Sequence, residues 1–99
     1  MKTIIWSPQA LAQHDSALDY LGERNLPAAE RLAERVRVTV EQLARRPTGR
    51  PGRTPGSFEK IVPGTRYLLV FDIVGDELHV LRLFHMSQDW WSWSNGADE

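Results

Sequence analysis

Residues 67–84 read YLLVFDIV-GD-ELHVLRLF, and this stretch decides the fold. The first eight residues are almost all apolar, the pattern of a strand buried on most of both faces. Gly75-Asp76 is a two-residue hairpin turn. The chain then returns over residues 77–84 with Leu78, Val80 and Leu83 set among Glu77, His79 and Arg82. An antiparallel β-hairpin is therefore expected at the centre of the molecule.

Upstream, residues 57–62 form one further short strand before a Pro63-Gly64 turn. Residues 47–56 are a Pro/Gly/Arg loop, excluded from any helix or central strand. Ahead of that loop the period changes to helical. Ala29, Leu32, Ala33, Val36, Val40 and Leu43 recur at 3.6-residue spacing from Pro27 to about Arg46. Ala10, Leu11, His14, Ala17, Leu18 and Leu21 do the same after Ser7-Pro8, an N-cap followed by proline at the first helical position. Gly22, followed by Asn25, is read as ending this first helix. Thr3-Ile4-Ile5-Trp6 favours a pleated surface and closes the pattern with a strand over residues 2–6. The expectation is an α+β domain of order β-α-α-β-β-β. In it an N-terminal strand and an antiparallel helical hairpin pack on a small, mainly antiparallel sheet.

Ninety-nine residues allow one domain, 1–99, with 92–99 expected to fray. Cysteine is absent, which removes disulfides and thiol chemistry. No apolar run approaches the roughly 18 residues that span a bilayer, and MKTIIWSPQ lacks a secretory pattern. A cytoplasmic protein without membrane association is expected. The formal net charge is −1, yet from Arg31 to Arg66 there are nine basic residues against three acidic ones. Such a basic middle suits an anionic partner.

Four arginines are candidate site residues. Arg50 and Arg53 lie on the loop, Arg66 at the mouth of the central strand, and Arg82 inside the last strand. Guanidinium groups clamp phosphate or carboxylate oxygens bidentately. The plainer reading is solvation for the loop pair and a structural ion pair for Arg82. His85 follows the last strand and could move a proton at neutral pH; the plainer reading is a hydrogen-bonding strand-end residue. His14 reads as a packed core histidine, Trp6 as core, and His79 as facing outward with Glu77. Trp90, in Asp89-Trp90-Trp91-Ser92-Trp93, could contact a partner or, like Trp91, fold back to cap the sheet. The histidines have no metal-ligand spacing, and Gly49, Gly52 and Gly56 match no phosphate-cradling loop, so neither metal nor nucleotide cofactor is expected.

Taken together, IIWSPQAL, LPAAERLAERV, RPTGRPGR and VPGTRYLLVFDIVGDELHVLRLFHMSQDW resemble the RelE/ParE superfamily of bacterial type II toxins over residues 2–90. Residues 85–90 are most similar to ParE-type members. The resemblance implies a cognate antitoxin partner and, as target, either DNA gyrase or ribosome-bound mRNA. In the nuclease branch it implies that Arg66 holds the RNA and that His85 takes the place of a histidine after the last strand; with Arg82, from the last strand, these would be the catalytic residues. Ser57 and Glu59, however, stand where that branch carries a basic pair. No tyrosine follows Tyr67 to supply its tail tyrosine, and His85 lacks a glutamate partner at matching spacing. The ParE-like reading, growth inhibition through gyrase, is therefore preferred over a metal-independent endoribonuclease or a non-toxic antitoxin binder.

Overall fold

The computed structural model describes residues 1–87; residues 88–99 are outside it. The elements run β1 Thr3–Trp6, α1 Pro8–Arg24, α2 Leu26–Arg45, β2 Arg50–Pro51, β3 Phe58–Ile61, β4 Tyr67–Val74 and β5 Glu77–His85. They build one five-stranded sheet in the order β1-β5-β4-β3-β2. Strands β2 to β5 form an antiparallel meander, and β1 lies parallel to β5 at the far edge. A parallel neighbour cannot be reached by a tight turn. The helical hairpin is the crossover.

The expected α+β order holds, with β2 as an addition. Pro51 cannot donate to a ladder, but two residues at a sheet edge need no outward partner. The helix boundary also shifts. Gly22 sits inside α1, and Asn25 is the residue that parts the helices. With φ −160° and ψ 91° its N–H still reaches the Leu21 carbonyl at 2.6 Å, while its Oδ1 accepts from the Ala28 N–H at 3.2 Å. One asparagine thus serves as the C-cap of α1 and the N-cap of α2. Ser7 does the equivalent at α1, accepting from the Ala10 N–H at 3.0 Å with Pro8 beside it.

Both helices lie on one face of the sheet. Leu32, Val36, Val40 and Leu43 of α2 interlock with Leu69, Phe71, Leu78, Val80 and Leu83, and Ile4, Trp6, Leu18 and Leu21 close the margin. Truncating any of the large buried leucines to alanine would cost about 2–5 kcal/mol. Strand β4 is buried on both sides, as its composition demands. Leu69 and Phe71 face the helices, whereas Leu68 and Val70 join Phe84, Leu81 and Met86 in a second apolar cluster on the outer face.

Strand β5 changes register in its middle: Phe71 pairs with Val80 but Val70 with Arg82, leaving Leu81 as an extra residue. This β-bulge lets Leu78, Val80 and Leu83 all face the helices although the last interval is three residues. Beyond Val80 the strand has outrun β1, and α1 completes its edge. The Ser7 hydroxyl donates to the Leu81 carbonyl at 3.1 Å, and Gln13 Oε1 accepts the Leu83 N–H at 2.8 Å.

Candidate functional site

The register sets four residues of successive strands side by side on the outer face: Arg50, Glu59, Val70 and Arg82. Arg66 stands one residue before β4, but its carbonyl accepts the Met86 N–H at 2.7 Å and so adds a rung to the ladder. Strand alternation puts it on the face of Leu68 and Val70. Arg66 and Arg82 are thereby on one side, four residues of strand apart, about 13 Å at the usual rise. Arg66 is exposed. The Arg82 side chain bends over the β5 edge, where Nη1 donates to Gln9 Oε1 and lies 3.2 Å from the Leu81 carbonyl. Burial lowers the pKa of Arg82 from its usual value.

Glu59 holds the middle of this face and is only 5% exposed. Its Oε1 is 3.5 Å from Arg50 Nη2 and its Oε2 is 3.4 Å from Arg53 Nη1. Oε2 also accepts the Arg53 backbone N–H at 3.2 Å. The loop wraps closely enough to make these contacts because Gly52 has no side chain: a Cβ there would lie 2.5 Å from Ser57 Oγ and 3.3 Å from Glu59 Cγ. Ser57 closes the loop, its hydroxyl donating to the Thr54 carbonyl at 2.7 Å and its carbonyl accepting the Gly52 N–H at 2.8 Å. The two loop arginines, read from sequence as solvated or target-binding, have a shared internal carboxylate.

His85 is elsewhere. It pairs with Tyr67, whose side lies with the helix-facing cluster, and the rings meet edge to face at 5.1 Å. Its Nδ1 accepts the Ser87 N–H at 3.0 Å and lies 2.5 Å from Ser87 Oγ. Together with Gln9, Gln13, Ser16, Tyr20 and Tyr67 it lines a groove of about 750 Å³ between α1 and the end of β5. Burial raises the Tyr67 pKa. The sequence-predicted trio is thus divided: Arg66 and His85 are on opposite faces, and Arg82 starts on the face of Arg66 but carries its guanidinium over the edge to Gln9, on the rim of the His85 groove. Trp90 lies outside the described residues. So do Trp91 and the stretch 92–99.

His79 sits as its pattern suggested, and His14, expected in the core, lies at its margin with the side chain 21% exposed. His14 packs against Trp6 at 5.2 Å, and burial lowers its pKa despite Asp15 at 3.9 Å. His79 faces outward, Nδ1 3.3 Å from Asp72 Oδ1 and Nε2 2.9 Å from Glu77 Oε1. No group of three metal-ligating side chains occurs among the described residues. No helix among them is long and apolar enough to cross a membrane.

Glu59, Gln9 and Gln13 were not singled out by sequence reasoning as parts of the site. A carboxylate inside Phe58-Glu59-Lys60-Ile61, with Arg50 and Arg53 just upstream, is the one sequence signal that could have marked the first.

Comparison with known proteins matches the chain to a family. The model for the ParE toxin of type II toxin-antitoxin system, parDE, fits residues 4–90. The protein Y4kP of Sinorhizobium fredii is 31% identical over 90 residues, 90% of this chain and 93% of that one. Toxin RelE2 of Caulobacter vibrioides is 25% identical over 88 residues, 89% of this chain and 99% of the relative. Among solved structures, the chromosomal ParDE system from P. aeruginosa superposes with a TM-score of 0.77 at 23% identity, covering 88% of this chain and 98% of that one. The YoeB/ParE toxin from Agrobacterium tumefaciens has the same fold at a TM-score of 0.57 and 12% identity, over 84% and 96% of the two chains.

Proposed function

Since the chain belongs to the ParE toxin family of type II toxin–antitoxin systems, we propose that it arrests growth by binding DNA gyrase and not by cutting RNA. Family membership implies an antitoxin partner. The basic middle of the chain suits an antitoxin segment that is acidic and amphipathic, with arginine–carboxylate pairs at its rim and apolar anchors at its centre. The observation that carries the non-nucleolytic reading is the division of the would-be catalytic set. Cleavage through 2′-hydroxyl attack needs a proton-transfer group and a phosphate clamp within hydrogen-bond reach of one phosphate. Here His85 and Arg66 belong to opposite faces of the sheet, Arg82 is tied over the β5 edge to Gln9, and Arg50 and Arg53 lie against Glu59. A cytoplasmic site of action accords with an intracellular target.

The rival is a RelE-like, ribosome-dependent endoribonuclease, and the shared face of Arg66 and Arg82 favours it. Induction without antitoxin separates the two. Gyrase inhibition should produce the DNA-damage response and filamentation with intact mRNA, and purified protein should inhibit supercoiling. Cuts in ribosome-bound message would overturn the gyrase reading. Absence of any growth defect at high expression would leave only a non-toxic, antitoxin-binding member.

A further inference from the structure

Each guanidinium on the outer face can pair with a carboxylate or with a phosphate, because the same fork geometry serves both. Arg50, Arg53 and Arg66 together would make this face a favourable surface for single-stranded polyphosphate. One group opposes that. Glu59, 5% exposed, lies within 3.5 Å of one loop arginine and 3.4 Å of the other.

We propose that Glu59 is the specificity-determining residue of the outer sheet face, its carboxylate taking between Arg50 and Arg53 the place of an RNA phosphate and so keeping RNA off the surface. Two effects act together. The carboxylate holds the Arg53 guanidinium and attracts that of Arg50, which stays 67% exposed, and it presents a like charge to any phosphate that approaches them. Building a repulsive element against the wrong partner is a general route to selectivity. The position suits this role because Glu59 is flanked across the sheet by Arg50, with Arg53 reaching it from the loop. Its charge therefore sits between the two loop arginines. The loop above it is fitted to it by Gly52, whose missing Cβ leaves room for the Glu59 side chain.

The inference deepens the binding-without-cleavage reading and rests on it, but its test is separate from gyrase. RNA affinity is measured by fluorescence anisotropy with a short, labelled single-stranded RNA and the purified full chain. Glu59→Gln and Glu59→Met should both bind at least ~10-fold more tightly than the parent, about 1.4 kcal/mol. Two added phosphate contacts should steepen the log–log salt dependence by roughly 1.4. Thr54→Lys changes the net charge by the same amount on the exposed part of the loop while leaving Glu59 in place; it should gain no more than ~3-fold, about 0.7 kcal/mol. Folded Glu59 variants with parental affinity would overturn the proposal. So would an equal gain from Thr54→Lys, which would reduce the effect to net charge. Loss of the fold in both Glu59 variants would also overturn it, making Glu59 a folding residue and not a selectivity residue.

Discussion

Glu59 holds Arg53 twice, accepting its backbone N–H at 3.2 Å and its Nη1 at 3.4 Å through the same oxygen. The two partners are unequal, since Glu59 is 5% exposed and the Arg53 side chain 41%. Removing the arginine leaves a buried charge with less compensation. Removing the charge leaves an arginine that water can reach. Arg53→Ala should therefore destabilise more than Glu59→Gln, about 1–2 kcal/mol against under ~1 kcal/mol. Thermal melts should separate them, at roughly 4–8 °C per kcal/mol for a domain of this size. Equal shifts would show the ion pair to be symmetric, and a larger one for Glu59→Gln would reverse the assignment.

His14 makes stability depend on pH. Burial beside Trp6 lowers its folded-state pKa below the unfolded value of about 6.5. Asp15 opposes this from 3.9 Å, and Arg37 and Glu41 line with His14 a second groove, between the two helices and β1. In the window below ~6.5 the unfolded chain binds the proton more readily than the folded one. The contribution of neutral His14 is thus complete above ~6.5 and declines as pH falls through that value towards the lower folded pKa. Denaturant unfolding near pH 7.5 and near pH 5.5 should show a loss that His14→Gln diminishes. A variant that keeps the parental slope would assign the pH dependence to other groups.

Gln13 substitutes for a missing strand. Its Oε1 accepts the Leu83 N–H at 2.8 Å where β1 no longer reaches β5. Gln13→Ala should cost about 1 kcal/mol and selectively speed exchange of the Leu83 amide, read by hydrogen-exchange NMR. Gln13→Glu, which keeps an acceptor, should protect that amide. Unaltered exchange in Gln13→Ala would mean that packing, and not the side-chain carbonyl, seals this edge.

Much of this architecture was legible because single residues dictate it. Ser7-Pro8 can only start a helix cheaply, Gly75-Asp76 can only turn a hairpin tightly, and residues 67–74 are too apolar for a one-sided strand. The unread parts depend on partners distant in sequence. Gly22 invites a helix stop, yet α1 continues to Arg24 because Asn25 caps both helices at once. The three-residue step from Val80 to Leu83 hints at a bulge, but only pairing with β4 identifies Leu81 as the extra residue. The same bulge, by resetting alternation, sends Arg82 outward and His85 towards the helices. A site built from sequence proximity placed those two together, although an interval of three residues sets them on opposite faces of a regular strand and the bulge decides only which face each takes. Glu59 was hidden for a similar reason: its two arginines lie in a loop whose path the sequence does not fix.

Arg66 offers the cleanest test of chemistry against binding. Its side chain is exposed, and the ladder uses only its carbonyl, towards the Met86 N–H. Arg66→Ala should therefore leave stability within about 0.5 kcal/mol. A guanidinium that stabilises a phosphoryl transition state is worth about 10²–10³ in rate. A rim contact to a protein partner contributes far less, under ~1 kcal/mol or a few-fold in affinity. If the protein acts by binding gyrase, Arg66→Ala and His85→Ala should each shift the concentration that half-inhibits supercoiling by less than ~10-fold, under ~1.4 kcal/mol. Both variants should still arrest growth. A loss of growth arrest beyond ~100-fold at unchanged melting temperature, accompanied by loss of message cleavage, would instead identify Arg66 as a catalytic group. It would then make the Arg66–Arg82 face the active surface of a nuclease.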